Sequence, residues 1–143
     1  MSHDNKKKAG FSTNCIHGGQ SPDPTTGAVM MPIYQTSTYA QSAPGEHKGY
    51  AYARSNNPTR DALQRNIASL EEGKYGLCFG SGMAAMDAVL RLLDPGDEVI
   101  ASDDLYGGSY RLLMGVFQRY GIKSKFINMS DPTEVAKHFT AAS

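Results

Sequence analysis

Apolar and polar positions divide the chain near residue 57. Before that point no hydrophobic period holds, because Pro22, Pro24, Pro32 and Pro44 interrupt every long element and Gly, Ser, Thr and Tyr fill the spaces between them. Residues 1–56 are therefore expected to form an extended arm. Met30, Met31, Ile33, Tyr34, Tyr39, Tyr50 and Tyr52 are too apolar for a free linker, so the arm should lie over another surface, a neighbouring subunit being one candidate. From Asn57-Pro58 the pattern becomes regular. Leu63, Ile67 and Leu70 recur at i, i+4 and i+7 and predict an amphipathic helix that stops at Gly73.

The rest of residues 57–143 reads as alternating strands and helices. Gly76 to Gly80 predicts a short buried strand, and Met83, Met86, Val89, Leu90 and Leu93 mark the core stripe of the next helix, which Asp94-Pro95-Gly96-Asp97 ends in a turn. Glu98 to Ser102 predicts a second strand. Tyr110, Leu113, Met114 and Phe117 mark a third helix stopped by Gly121, and Lys123 to Asn128 a third strand. Asp131 is placed as an N-cap, with Pro132 at the first helical position and Glu134 three residues after the cap. Strands and helices joined this closely predict an α/β fold with a mainly parallel sheet, whose ligands bind beyond the carboxyl ends of its strands.

Charge removes some function classes. Lys+Arg and Asp+Glu both total 14, so no basic field draws nucleic acid or a membrane, and the Lys6-Lys7-Lys8 run reads as a solvated tail. No apolar run approaches the roughly 20 residues that span a bilayer, and the polar start lacks the apolar core of a signal peptide, so a cytoplasmic protein is expected. Cys15 and Cys78 lie far apart without metal-ligand spacing and are expected to be reduced thiols. His17, in Ile-His-Gly-Gly, reads as part of a structural turn.

Gly80-Ser81-Gly82-Met83-Ala84-Ala85 satisfies G-x-G-x-x-A between a predicted strand and a predicted helix, and Asp103 and Asp104 follow about 20 residues on, where a ribose-binding carboxylate would sit. Physically the pattern says only that amides at a helix N-terminus face an anion. A nicotinamide-dependent fragment is one reading, and a non-catalytic module that binds through its arm is another. The long segment ahead of the loop argues against a dinucleotide domain. So do Tyr52 and Arg54, since arginine offers a planar fork for phosphate oxygens and a tyrosine hydroxyl adds a donor.

Tyr-Ala-Arg-Ser-Asn-Asn-Pro-Thr-Arg at 52–60, Gly-Ser-Gly-Met-Ala-Ala at 80–85 and Asp-Asp-Leu-Tyr-Gly-Gly-Ser-Tyr-Arg at 103–111 resemble the Cys/Met-metabolism family of pyridoxal-phosphate enzymes. Ile16-His17-Gly18-Gly19 and the 32–39 segment fit as well, and the resemblance runs from about Thr13 to the end. It implies the start of a fold-type I cofactor domain, with the Ser81 hydroxyl and the Gly82 and Met83 amides on the phosphate of pyridoxal 5'-phosphate. Tyr52 and Arg54 would reach the phosphate held by a neighbouring subunit in a homo-oligomer, a dimer of dimers. Tyr106 would stack on the cofactor ring and is the candidate to take a proton from the incoming amino group. Arg111, a substrate-binding candidate with Tyr52, matches the cystathionine γ-synthase and γ-lyase branch. Ala51 departs from it, since several members carry an acidic residue there.

The implied activity is that of a carbon–sulfur lyase or γ-replacement enzyme. Cystathionine γ-lyase is favoured, with cystathionine γ-synthase next and methionine γ-lyase or cystathionine β-lyase behind. The resemblance also requires a cofactor-bearing lysine, a pyridinium aspartate and a carboxylate-binding arginine. None of the lysines at 6, 7, 8, 48, 74, 123, 125 and 137 stands in a Ser-x-Thr-Lys setting. The chain is thus expected to be the N-terminal portion of a longer enzyme, inactive by itself.

Overall fold

The computed structural model describes residues 9–143, so the Lys6–Lys8 run lies outside the described residues. They form two compact units, one ending at Cys78 and the other beginning at Phe79.

The first unit is built on α1 (Phe11–His17) and α2 (Pro58–Leu70). α2 begins where the sequence signals it. Asn57 has extended backbone and its Oδ1 accepts the Thr59 and Arg60 amides at 2.9 and 3.3 Å, while Pro58 occupies the position whose N–H would have no helical acceptor. The helix ends at Leu70, three residues before the expected glycine: Glu72 takes a left-handed φ of 52° and the Gly73 N–H returns to the Ala68 carbonyl at 2.8 Å. The buried face of α2 differs from the predicted stripe. Leu63 is 52% exposed and Ile67 45%, whereas Ala62, Asn66 and Ala68 are buried.

The cause is how closely α2 meets the turn after α1. At Gly19, with φ +67°, a Cβ would stand 2.3 Å from the Arg65 carbonyl oxygen, and at Gly18 it would stand 2.9 Å from Ser69 Oγ. Only small side chains fit such an approach. Asn66 closes it by donating both amide hydrogens, to Asn14 O and Gly18 O, each at 2.9 Å.

The arm between these helices is tied to the start of α2. The Thr59 hydroxyl accepts the Tyr34 amide at 2.8 Å and donates to Pro32 O, and Asn57 Nδ2 donates to Tyr34 O and to Tyr39 Oη. Tyr50 donates to Asp61, and burial followed by that bond raises its pKa. Asp23 accepts from Thr25, Thr26 and Tyr34. The Thr26 amide, then its hydroxyl, hold the Asp23 pKa below its ordinary value, and the shared proton raises that of Tyr34. Val29, Met30 and Ile33 stay exposed.

The predicted strand over Gly76–Gly80 does not form. Strands require a laddered neighbour, and here the Cys78 amide is satisfied by the Gln64 side chain at 3.0 Å while Leu77 is exposed.

The second unit runs α3 (Gly82–Leu90), β1 (Glu98–Ser102), α4 (Gly107–Gly115), a 3-10 turn (Phe117–Tyr120), β2 (Lys123–Ile127) and α5 (Pro132–Ala136). β1 and β2 pair in parallel with Glu98 opposite Lys123 and Ser102 opposite Ile127, as the βαβ reading expected. Leu90, Leu113, Phe117 and Ile122 make the core, with Met86, Leu93, Val99 and Phe126 packed around it. Val89, expected in the stripe, is exposed, as is Tyr110. The third helix is shorter than predicted because the chain leaves α geometry at Val116 (φ −115°, ψ −66°), just after Gly115, and finishes in 3-10 form before Gly121 at φ +84°. Asp131 caps α5 through Thr133. No helix among the described residues is long and apolar enough to cross a membrane.

Candidate functional site

At the start of α3, Ser81 has extended backbone and its Oγ accepts the Ala84 amide at 3.1 Å. The hydroxyl keeps its own proton to donate. As the first two helical residues, Gly82 and Met83 have amides without an intrahelical acceptor, and Gly82 is exposed with open space where a Cβ would stand. Three donors therefore converge at an accessible helix N-terminus. The helix dipole adds about 0.3–1 kcal/mol for an exposed anion.

β1 leads into the second part of the site. The Asp103 amide extends the ladder to Ile127 O at 2.9 Å, and Leu105 is packed on the core. Tyr106 then caps α4 with its backbone, its carbonyl accepting the Ser109 and Tyr110 amides at 2.8 and 3.2 Å. This leaves its side chain without a capping role, and the residue is 70% exposed. Its ring and Met83 Sδ both close on Gly108, where a Cβ would lie 2.4 Å from Tyr106 Cε1 and 3.1 Å from Met83 Sδ. Arg111, also exposed, reaches back along α4 until its Nη1 is 3.7 Å from the position of a Gly107 Cβ. Anion-binding amides, a flat aromatic face and a cation thus belong to one unit. That donor set fits a phosphate carried on an aromatic ring.

Tyr52 and Arg54 belong to the first unit. Tyr52 bridges Thr38 in antiparallel fashion, with Ala53 donating to Ser37 O at 2.7 Å, and its carbonyl accepts the Ser55 and Asn56 amides to make a tight turn. The Arg54 guanidinium stands 5.1 Å from the centre of the Tyr52 ring, a cation–π contact that orders both exposed groups. The turn is held by residues to which the sequence reading gave no role. Arg60 donates to Ala53 O at 3.1 Å and Ser55 O at 2.8 Å, with longer contacts to Arg54 O. Asn57 ties down the segment opposite it at Tyr34 and Tyr39. The legible signal was an arginine in the first turn of a helix six residues after a candidate ligand. Asp103 and Asp104 have exposed side chains.

The family model for Cys/Met metabolism PLP-dependent enzymes matches residues 12–143. The chain is 52% identical over 142 residues to a cystathionine β-lyase of Coxiella burnetii, a match covering 99% of this chain and 37% of that protein. It is 52% identical over 126 residues to a probable cystathionine γ-synthase of Herpetosiphon aurantiacus, covering 88% of this chain and 40% of that one. A crystal structure of cystathionine γ-lyase from Lactobacillus plantarum complexed with L-serine superposes with a TM-score of 0.80 at 40% identity, over 94% of this chain and 36% of that one. The chain therefore spans less than half the length of the proteins it matches. With a family model covering nearly all of its residues, the chain belongs to the Cys/Met metabolism PLP-dependent enzymes, whose cofactor is pyridoxal 5'-phosphate.

Proposed function

We propose that the protein to which these residues belong cleaves the carbon–sulfur bond of cystathionine as a γ-lyase, giving cysteine, 2-oxobutyrate and ammonia with the uptake of water. The observation that carries this reading is the gathering of Met83, Tyr106 and Arg111 about the start of α4, next to the unpaired amides of α3. The coarser part, an enzyme of sulfur amino acids, rests on relatives named β-lyase, γ-synthase and γ-lyase. The choice of γ-lyase rests on Arg111 and the Gly107-Gly108 pair, and the same residues suit a γ-synthase.

The Gly82 and Met83 amides and the Ser81 hydroxyl would hold the cofactor phosphate, and Tyr106 would lie against its ring. When bound, pyridoxal phosphate supplies an electron sink for the bonds at Cα of an amino acid. Tyr106 Oη would take a proton from the incoming amino group, and Arg111 would pair with a carboxylate of the substrate. Tyr52 and Arg54 would complete the phosphate site of a second copy in a homo-oligomer. That role suits a guanidinium with no carboxylate partner among the described residues. The free thiols of Cys15 and Cys78 fit a reducing cytoplasm.

Full-length protein should purify with the visible absorption of bound pyridoxal phosphate and release 2-oxobutyrate from cystathionine. Pyruvate in its place would make it a β-lyase, and cystathionine formed from cysteine and an O-acyl-homoserine a γ-synthase. A full-length protein without visible absorption or action on any of these substrates would refute the proposal.

A further inference from the structure

Gly108 stands at the second position of α4 with ordinary helical backbone: it is not among the glycines with positive φ. Glycine there weakens the helix compared with alanine, so the backbone does not explain it. The space around it does. A Cβ would lie 2.4 and 3.0 Å from Tyr106 Cε1 and Cδ1 and 3.1 Å from Met83 Sδ. The first separation is too short for two carbon atoms, and the other two are tight enough that a neighbour would have to give. At the adjacent Gly107 a Cβ would meet only Arg111 Nη1 at an ordinary 3.7 Å. The crowding is thus specific to one of the two glycines.

We propose that Gly108 is a positioning residue, whose missing Cβ forms the seat that holds the Tyr106 ring beside Met83 at the N-terminus of α3. Tyr106 is 70% exposed and its backbone alone caps α4, so little else restrains the ring. A methyl group at residue 108 drives the exposed ring outward rather than unfolding the buried helix, because the ring is the part free to move. The consequence falls on ligand geometry and not on stability. The proposal rests on the reading of Tyr106 as the residue that faces the cofactor ring.

The test uses full-length Gly108→Ala, Gly107→Ala, Tyr106→Ala and the Tyr106→Ala/Gly108→Ala double variant. The apoenzyme melting temperature of Gly108→Ala should not fall below that of the wild type, since alanine favours the helix, while Gly108→Ala binds pyridoxal phosphate about three- to tenfold more weakly, the size of one lost aromatic contact. The visible circular dichroism of the bound cofactor should change with it. Gly107→Ala should leave both unchanged, and in the Tyr106→Ala background Gly108→Ala should have less than about a twofold further effect, since the two act through one ring. Wild-type affinity and dichroism in Gly108→Ala would overturn the proposal, as would an undiminished effect in the Tyr106→Ala background. A crystal structure of apo Gly108→Ala decides the seat without cofactor: a displaced ring supports it and an unmoved ring refutes it. Failure of the wild type to bind pyridoxal phosphate would instead refute the functional reading.

Discussion

Replacing Asn57 with alanine tests how the first unit holds Tyr52 and Arg54. The side chain does two jobs. Its Oδ1 caps α2 through Thr59 and Arg60, and its Nδ2 donates to Tyr34 O at 3.0 Å and Tyr39 Oη at 3.3 Å. Loss of an N-cap costs about 0.5–2 kcal/mol. Each lost internal hydrogen bond adds roughly 0.5–1.5 kcal/mol, with the longer bond to Tyr39 at the low end. Together the change should destabilise local structure by about 2–3 kcal/mol, which raises opening some 30- to 150-fold. Native-state hydrogen exchange of the full-length protein reads this directly, in peptides covering residues 30–56 and 57–70. Asn57→Asp separates the two jobs, since a carboxylate keeps the acceptor and suits the helix dipole but cannot donate. It should restore protection in α2 and leave the arm as exposed to exchange as in Asn57→Ala. Exchange within about threefold of wild type in Asn57→Ala would refute the reasoning, since that is less than the smallest cap contribution combined with either bond.

Gly19→Ala combines a φ of +67° with a 2.3 Å clash on the Arg65 carbonyl, and should cost more than roughly 2 kcal/mol by thermal unfolding. Gly27→Ala, at φ +72° in open space, should cost only about 1 kcal/mol. Asp23 has a folded pKa below its ordinary 3.8, so between those values the folded state binds fewer protons than the unfolded one and stability rises with pH. The stabilisation is complete above about pH 4 and fades as pH falls through the folded pKa. Limited proteolysis of the 22–34 segment between pH 5 and 3 should show this loss, and Asp23→Asn should flatten it. Arg60→Lys keeps the charge but not the fork that spans the Ala53 and Ser55 carbonyls, so cofactor affinity should fall nearly as far as in Arg60→Ala. An Arg60→Lys protein with wild-type affinity would show that the clamp does not position Arg54.

The parts of this fold that could be read from sequence are those whose signals lie within a few residues. Asn57-Pro58 and Asp131-Pro132 carry cap and first-turn chemistry in adjacent positions, and both helices start there. β1 appears at its predicted residues because its partner, β2, is one crossover away. The strand expected over Gly76–Gly80 failed because apolar residues between glycines describe a strand only when a neighbour supplies its hydrogen bonds. Leu63 and Ile67 failed for a related reason: a period of 3.6 finds the apolar side of a helix, but the Gly18–Gly19 approach decides which side is covered. For the candidate site, motifs put residues forward, but the contacts that hold Tyr52 and Arg54 needed the structure. Arg60 acts on the Ala53 and Ser55 carbonyls, and its place in the first turn of a helix just after Arg54 was the one sign of it in the sequence.

The Gly80–Ala85 loop shows why a phosphate pattern alone underdetermines chemistry. Its amides and the Ser81 hydroxyl would serve a dinucleotide as well as any other phosphate, because they meet only the anion. What separates the ligands is the surface beyond the phosphate. In the proposed site that surface would be the ring of Tyr106, held beside Met83 at a glycine that α4 would otherwise be better without. A helix N-terminus contributes at most about 2 kcal/mol to a partly buried anion, so a phosphate dianion also needs a full positive charge. Arg111 is the cation that α4 presents beside Tyr106, and its position suits a substrate carboxylate. In the proposed homo-oligomer the charge for the phosphate would come from a second copy. Arg54, lying over the Tyr52 ring with its turn fixed by Arg60 and the facing segment tied down at Tyr34 and Tyr39 by Asn57, is an exposed cation that would fill this role.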